Sequence, residues 1–241
     1  MSAPLRLDHV VIVVRDLDQA MQDARIAGFT VAPGGRHPGR NTRNALVVFE
    51  DGAYLELITY DAPSPDERWW RVLAAHDDGL VDFALLPRDI AATVDAARGR
   101  GLDGLTGPHP GGRVRPDGAQ LQWQTARPAT HDLPFLCADV TSRALRVPAG
   151  EVRRHRNGAI GIPSVTVSVE NLQATLARYR AFLGEDAIDG EEVVLAGARI
   201  RFVEHPRRAR GEGPGGIDLR YARSGGGGEG RVETLDVPFL G

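Results

Sequence analysis

The sequence predicts an α+β protein assembled from one reused unit: a strand, a helix and then about three strands. Three observations carry this reading. The segments DGAYLELIT at 51–59 and DGAQLQWQT at 117–125 repeat each other. Each follows a matching strand and helix, HVVIVVRDLDQAMQDARIAGF from His9 and DFALLPRDIAATVDAARGRGL from Asp82. A fainter third copy runs SVTVSVENLQATLARYRAFLG from Ser164 and then AGARIRFVE at 196–204. Self-similarity at a long period marks a supersecondary unit used more than once. The copies divide the chain into modules at 1–77, 78–145 and a degenerate third at 150–223. Residues 224–241 are expected as a flexible tail, because 225–228 are four consecutive glycines.

The elements follow in order. Residues 6–14 are a valine-rich apolar run, as expected of a strand buried on both faces. Asp16 reads as the N-cap of a helix over about 17–27, and Gly28 as its stop. Phe29 to Val31 is expected as a short strand, and 32–44 (APGGRHPGRNTRN) as a loop of turn-forming residues. The stretch ALVVFEDGAYLELITY then reads as a hairpin about Asp51 and Gly52. Residues 64–76 have helical spacing, and their Trp69 and Trp70 read as burial anchors. The second module takes strands at 81–87, 112–116, 119–125 and 134–139, with a helix at 89–100. The third takes strands at 163–169, 192–196, 199–204 and 216–222, with a helix at 171–183.

Composition sets the outer bounds. A chain of 241 residues, 42% hydrophobic and 25% charged, is globular in type. No leader-like segment or membrane-length apolar run is evident, so the expected location is cytoplasmic. Cys137 stands alone, which excludes an internal disulfide or a multi-cysteine metal site. The net charge of −3 gives no reason to expect nucleic acid or an anionic membrane as partner. All 29 basic residues are arginine, so lysine Schiff-base chemistry and a lysine phosphate loop are ruled out.

Strand parity selects candidate site residues. In the first strand Leu7, His9, Val11 and Val13 should share one face, opposite Val10, Ile12 and Val14. In the hairpin's second arm Tyr54, Glu56 and Ile58 share a face. A glutamate inside YLELI is expensive to bury without a cation or hydrogen-bond partner. The repeat places Asp82 opposite His9 and Gln122 opposite Glu56. Two modules packed about a pseudo-twofold would bring these four donors together, a set suited to Mn²⁺, Fe²⁺, Co²⁺, Ni²⁺ or Zn²⁺. The bland alternative is that Gln122 belongs to an ordinary solvent-facing strand.

At these motifs the chain resembles the vicinal oxygen chelate superfamily, within it the glyoxalase-like group. The residues that carry the likeness are LDHVVIVVRDL and GFTVAPGGRHPGRNTRNALVVFEDGAYLELI, followed more loosely by VDFAL, DGAQLQW, LPFL and HRNGAIGI. The resemblance implies paired βαβββ modules forming curved mixed sheets around a cup, with helices on the outer face. It also implies a divalent metal ion held by His9 and Glu56, from the first and last strands of the module, with Asp82 or Gln122 completing the shell. Ser164 and Arg201 stand in the third module where the ligands would be. His37, His155 and Asn157 fall at motif positions in loops, with Thr42 and Asn44 nearby. They are open to two readings, contacts at the cup's mouth or turn residues that bond their own backbone. His37 is the candidate proton carrier.

The leading expectation is a metal-dependent lyase or isomerase acting on a small oxygenated substrate, with Glu56 as ligand and base. Tyr54, His37, Asn44, Trp123, His155 and Asn157 are its expected substrate contacts. The alternative is a metal-free protein that binds or sequesters small molecules with its apolar lining and tryptophans. Ring-opening dioxygenation would need a second strand histidine that no module supplies. The odd number of modules is compatible with a homodimer.

Overall fold

The computed structural model describes residues 5–205, 208–222 and 231–235. Eight strands close into a barrel: β1 (Arg6–Val13), β2 (Ala32–Arg36), β3 (Thr42–Val48), β4 (Tyr54–Tyr60), β5 (Gly79–Leu86), β6 (Thr106–Val114), β7 (Gln120–Arg127) and β8 (Phe135–Asp139). Their order around the barrel is β1-β4-β3-β2-β6-β7-β8-β5. Helices α1 (Leu17–Ile26), α2 (Arg68–Ala75) and α3 (Ile90–Gly99) connect them, and a short α4 (Arg143–Arg146) follows the last strand. A second, open sheet of six strands has the order β10-β11-β12-β9-β13-β14. It comprises β9 (Ala159–Val169), β10 (Ile188–Asp189), β11 (Glu192–Val194), β12 (Arg199–Glu204), β13 (Gly213–Tyr221) and β14 (Val232–Leu235), with α5 (Leu172–Leu183) after β9. One apolar core takes side chains from both sheets, with Val10, Ile12, Leu55, Leu57 and Phe83 from the barrel beside Val165, Val167, Ile200 and Ile217.

The three copies begin alike for a local reason. Asp16 accepts the backbone N–H groups of Asp18 and Gln19, Asp89 that of Ala92, and Asn171 that of Ala174. Each caps the helix that a strand has just delivered, which satisfies N–H groups the helix cannot. Gly28, at φ +89°, ends α1 as its sequence position requires.

Four expectations change. β2 lies at 32–36, inside the stretch read as loop, because its backbone pairs with β3 despite its glycines and proline. Leu7 joins the helix-side core rather than sharing the His9 face. The β1–β5 ladder shifts between Leu7↔Leu85 and His9↔Ala84, so Asp8 is the extra residue of a bulge and reverses the parity before it. The expected tail contains β14, paired with β13, while glycines 225–228 lie outside the described residues.

The fourth change concerns the repeat itself. By topology β4 corresponds to β8, not β7, since β1 runs parallel to β4 and β5 runs parallel to β8. The β1–β5 pairs His9↔Ala84 and Val11↔Asp82 are symmetric about Val10↔Phe83, which makes Asp82 the twofold mate of His9 and Ala84 that of Val11. Val11 pairs with Glu56 and Ala84 with Phe135, so the mate of Glu56 is Phe135. Gln122 belongs to a different strand.

Candidate active site

The barrel encloses a cavity of about 280 Å³ whose wall includes His9, His37, Asn44, Tyr54, Glu56, Arg113, Trp123, Arg127 and Arg146. At its floor is a chain of buried polar contacts. The Asp8 carboxylate, 0% exposed, takes hydrogen bonds from His9 Nδ1 at 2.7 Å, from Arg146 Nη1 and Nη2 at 2.7 and 3.1 Å, and from Arg143 Nη1 at 2.7 Å. Burial pushes the Asp8 acid up, but Arg146, the His9 hydrogen bond and Arg143 outweigh it and hold the group well below the usual carboxylate range. An ionised carboxylate only accepts, so His9 carries its proton on Nδ1. Nε2 is thereby turned toward the cup, 3.4 Å from Glu56 Oε2. The His9 ring also stacks on Tyr54 at 4.7 Å, and the Tyr54 hydroxyl accepts from Arg146 at 2.8 Å.

Glu56 is where the contacts meet. Asn44 Nδ2 donates to Oε1 at 2.6 Å, and His37 Nε2 stands 4.0 Å from the same oxygen. Burial raises the Glu56 acid; His9, His37, the Asn44 amide and Arg113 more than offset this, so it titrates below the usual range. It is therefore an anion at neutral pH, fixed by the Asn44 amide on one side and facing open cavity on the other. His37 is both a turn residue and a cup residue. Its Nδ1 lies 2.9 Å from Thr42 Oγ1, its backbone N–H donates to Thr42 O, and its ring meets the edge of Trp123. Burial lowers its pKa, with Arg40 and Arg113 adding to this against Glu56, so the imidazole is neutral at pH 7.

The structure brings together His9, Glu56, His37, Asn44, Tyr54 and Trp123, and leaves four of the sequence candidates elsewhere. Asp82 accepts the Trp69 indole N–H at 2.9 Å and the Phe83 N–H at 2.9 Å, in an adjoining cavity. Gln122 is exposed, because β7 turns Trp123 and Thr125 inward. His155 is a buried joint: its Nδ1 accepts from Thr30 N at 2.9 Å, its Nε2 donates to Val48 O at 3.1 Å, and burial lowers its pKa. Asn157 bonds the backbone at Ala27 and Ala159. In the third module Arg201 and Ser164 both bond Asp218, at 2.8 and 2.5 Å.

Sequence reasoning missed Asp8, Arg113 and Arg146. Arg113 is 3% exposed, donates to Asn44 Oδ1 at 3.3 Å and to Arg146 O at 3.1 Å, and its Nε has no partner among the described atoms. The available signals were a carboxylate beside His9 inside an apolar strand and an arginine inside a strand, both costly to bury without a purpose.

His9 Nε2 and Glu56 Oε2 face each other as a metal-ligand pair would, with Asp8 behind the imidazole as the usual outer partner. The set stops there. Asp82 and Gln122 lie elsewhere, and among the described residues no group of three or more His, Cys, Asp or Glu side chains is arranged to hold a metal ion. The residues present do not complete a cation shell, and no catalytic step is derived through one.

Comparison with known proteins agrees with this architecture. A glyoxalase-like domain profile matches residues 7–183. A hypothetical protein from Staphylococcus aureus superposes with a TM-score of 0.68 at 16% identity, over 83% of this chain and 86% of that one. A mutant of 4-hydroxymandelate synthase from Streptomyces coelicolor superposes at 0.53 with 19% identity, over 89% and 70%. A xylose isomerase-like TIM barrel/4-hydroxyphenylpyruvate dioxygenase fusion protein gives 0.54 at 16%, over 90% of this chain and 36% of that one. At such identities the likeness is one of fold. No curated protein matches the chain. With the barrel of paired βαβββ units and a profile match spanning most of the sequence, the chain belongs to the glyoxalase-like domain family of the vicinal oxygen chelate superfamily.

Proposed function

We propose that this protein is an enzyme of lyase or isomerase type that removes a proton beside a carbonyl of a small oxygenated substrate held in the barrel cup. Glu56 is the base. The observation that carries the reading is its placement: an ionised carboxylate at the cup floor, oriented by Asn44 at 2.6 Å, with His9 Nε2 at 3.4 Å and His37 Nε2 at 4.0 Å. As Glu56 takes the proton, the electron pair of the C–H bond moves onto the carbonyl oxygen. Arg113, on the same wall, supplies the positive charge that stabilises that oxyanion. Returning the proton to the former carbonyl carbon, as the proton of the adjacent hydroxyl passes to the enolate oxygen and the second carbonyl forms, completes an isomerisation; expelling a leaving group from the β carbon, as the electron pair returns from the oxyanion and the carbonyl re-forms, completes a lyase reaction. Because Glu56 titrates below the usual range, its activity should be flat through neutral pH and fall only in acid.

The aromatic lining, Tyr54, Trp69, Trp123 and Phe135, supports a second reading, a binding protein without turnover. Solvent exchange separates the two. The protein is incubated in deuterated water with a panel of α-hydroxyketones and α-keto acids, and loss of the α-proton signal is followed by NMR. Exchange above buffer is expected for at least part of the panel, reduced by about a hundredfold or more in Glu56→Gln, the usual worth of a positioned base. Tight binding without exchange, or exchange unchanged in Glu56→Gln, would overturn the enzyme reading.

A further inference from the structure

The barrel cup does not end at its aromatic wall. A second cavity of about 240 Å³ adjoins it, lined by Arg68, Asp82, Thr130 and His131 among others. The two share Arg40, Trp69, Arg127 and Phe135 as common wall. Arg127 stands at the junction with its guanidinium over both rings, 5.0 Å from the Trp69 centroid and 4.4 Å from that of Phe135.

Three guanidiniums and two carboxylates line the side chamber. Glu67 is taken by Arg40 and by the Tyr60 hydroxyl. Asp82 is satisfied by the Trp69 indole and the Phe83 N–H. Arg68 donates to Val81 O and Glu212 O. Among the described residues, the Arg127 guanidinium alone of the three has only ring contacts and a carboxylate oxygen at 3.7 Å, Asp82 Oδ2, beyond hydrogen-bond range. Nearby, the buried Thr130 hydroxyl has no hydrogen-bond partner among the described atoms. A chamber with one positive charge in excess and a donor fork unused suits a monoanion, and planar guanidinium matches planar carboxylate. A phosphate dianion would set two charges against that single excess.

We propose that the two cavities form one elongated site for an aromatic or otherwise flat carboxylic acid, whose carboxylate is held by Arg127 at the junction while its reacting carbons face Glu56. This deepens the enzyme reading and rests on it for the reacting end only. The anchoring end is tested by binding, which needs no turnover.

Phenylacetate, phenyl phosphate and the neutral 2-phenylethanol are titrated into the full chain at neutral pH and low salt, followed by tryptophan fluorescence. In the wild type phenylacetate should bind about tenfold or more tightly than the alcohol, the worth of one charge-assisted hydrogen bond. It should also outbind phenyl phosphate. Arg127→Met should abolish the preference for the acid while leaving alcohol binding within about twofold, and Arg127→Lys, which keeps charge without the fork, should retain part of it. In Glu56→Gln the preference should survive, so loss of exchange with intact acid binding isolates a failure of the chemistry from a failure of the anchor. Equal binding of acid and alcohol in the wild type overturns the proposal. So does an acid preference undiminished in Arg127→Met, or phosphate as the tightest ligand.

Discussion

Replacing Asp8 by asparagine tests whether the cup floor is built on one buried carboxylate. The change keeps the shape and removes the charge from a group that receives four hydrogen bonds, two from Arg146, one from Arg143 and one from His9. Removing one partner of a buried ion pair typically costs about 3–5 kcal/mol, because the other charge is left uncompensated. Arg146 is 3% exposed and cannot reach water, yet it keeps Asp139 at 2.5 and 3.0 Å. Arg143 is partly exposed and can rehydrate. The expected loss is therefore at the low end, about 3 kcal/mol, or roughly 10 °C in Tm for a chain of this size. Urea unfolding measures it. Combining Asp8→Asn with Arg146→Met should cost less than the sum of the two by about 1 kcal/mol or more, since the double variant strands no charge. The loss should also depend on pH. The Asp8 acid is depressed in the folded state, so its contribution is complete above the ordinary value near 3.8 and is lost as pH falls below that toward the folded value. The gap between wild type and variant should close in that acid window. A stability change under about 1 kcal/mol at neutral pH, with additive double-variant behaviour, would refute the uncompensated-charge reasoning.

Three other outcomes follow from particular contacts. A Cβ on Gly34 would lie 2.0 Å from Asn44 Oδ1, so Gly34→Ala should push Asn44 off Glu56 and lower exchange activity by about tenfold, while overpacking costs about 1–3 kcal/mol of stability; unchanged activity would show that Asn44 does not orient the base. Burial pushes the Cys137 thiol up to about 12, so thiol reagents should modify it only on unfolding, and stoichiometric labelling of the native protein would contradict this. Elemental analysis of the untagged protein should find well under one divalent cation per chain; a stoichiometric cation lost in both His9→Ala and Glu56→Ala would recast Glu56 as a ligand.

The opening of the barrel was readable because β1 and α1 are stated twice over, in pattern and in caps, while β2 was not. The apolar run of β1, the Asp16 cap and the Gly28 stop agree on where strand and helix meet. Parity also paired His9 with Glu56 correctly, since both lie beyond the bulge. The bulge could not be read. A single unpaired residue leaves no mark in an apolar strand, and it is what brings Asp8 alongside His9. The sequence marks Arg113 only as an arginine costly to bury inside a strand; where its guanidinium and that of Arg146 end depends on which carboxylates and carbonyls the finished fold turns toward them. His155 looked like a site residue for the opposite reason. Its two ring nitrogens tie Thr30 to Val48, a structural use of histidine that no spacing distinguishes from a functional one.

The one misreading with consequences for chemistry came from the repeat. Asp51-Gly52-Ala53 and Asp117-Gly118-Ala119 are the same turn: each aspartate accepts the N–H two residues on, at 2.9 and 3.2 Å, and each glycine has φ +83°. The first turn joins β3 to β4 and the second joins β6 to β7, so the likeness encodes hairpin geometry and not equivalence of strands. Corrected for this, the barrel's halves are chemically unlike. The first half brings imidazole and carboxylate, from His9, His37 and Glu56. In the second, the mate of Glu56 is Phe135, and the cup receives Arg113, Arg127, Trp123 and Arg146 instead. In the proposed reading, proton transfer falls to one half and recognition of charge and ring to the other. Asp8 joins them, bonding His9 on its own strand and Arg146 from across the barrel. Substitutions at Arg127 should therefore act on binding alone, whereas those at Arg146 should disturb binding and the orientation of His9 together.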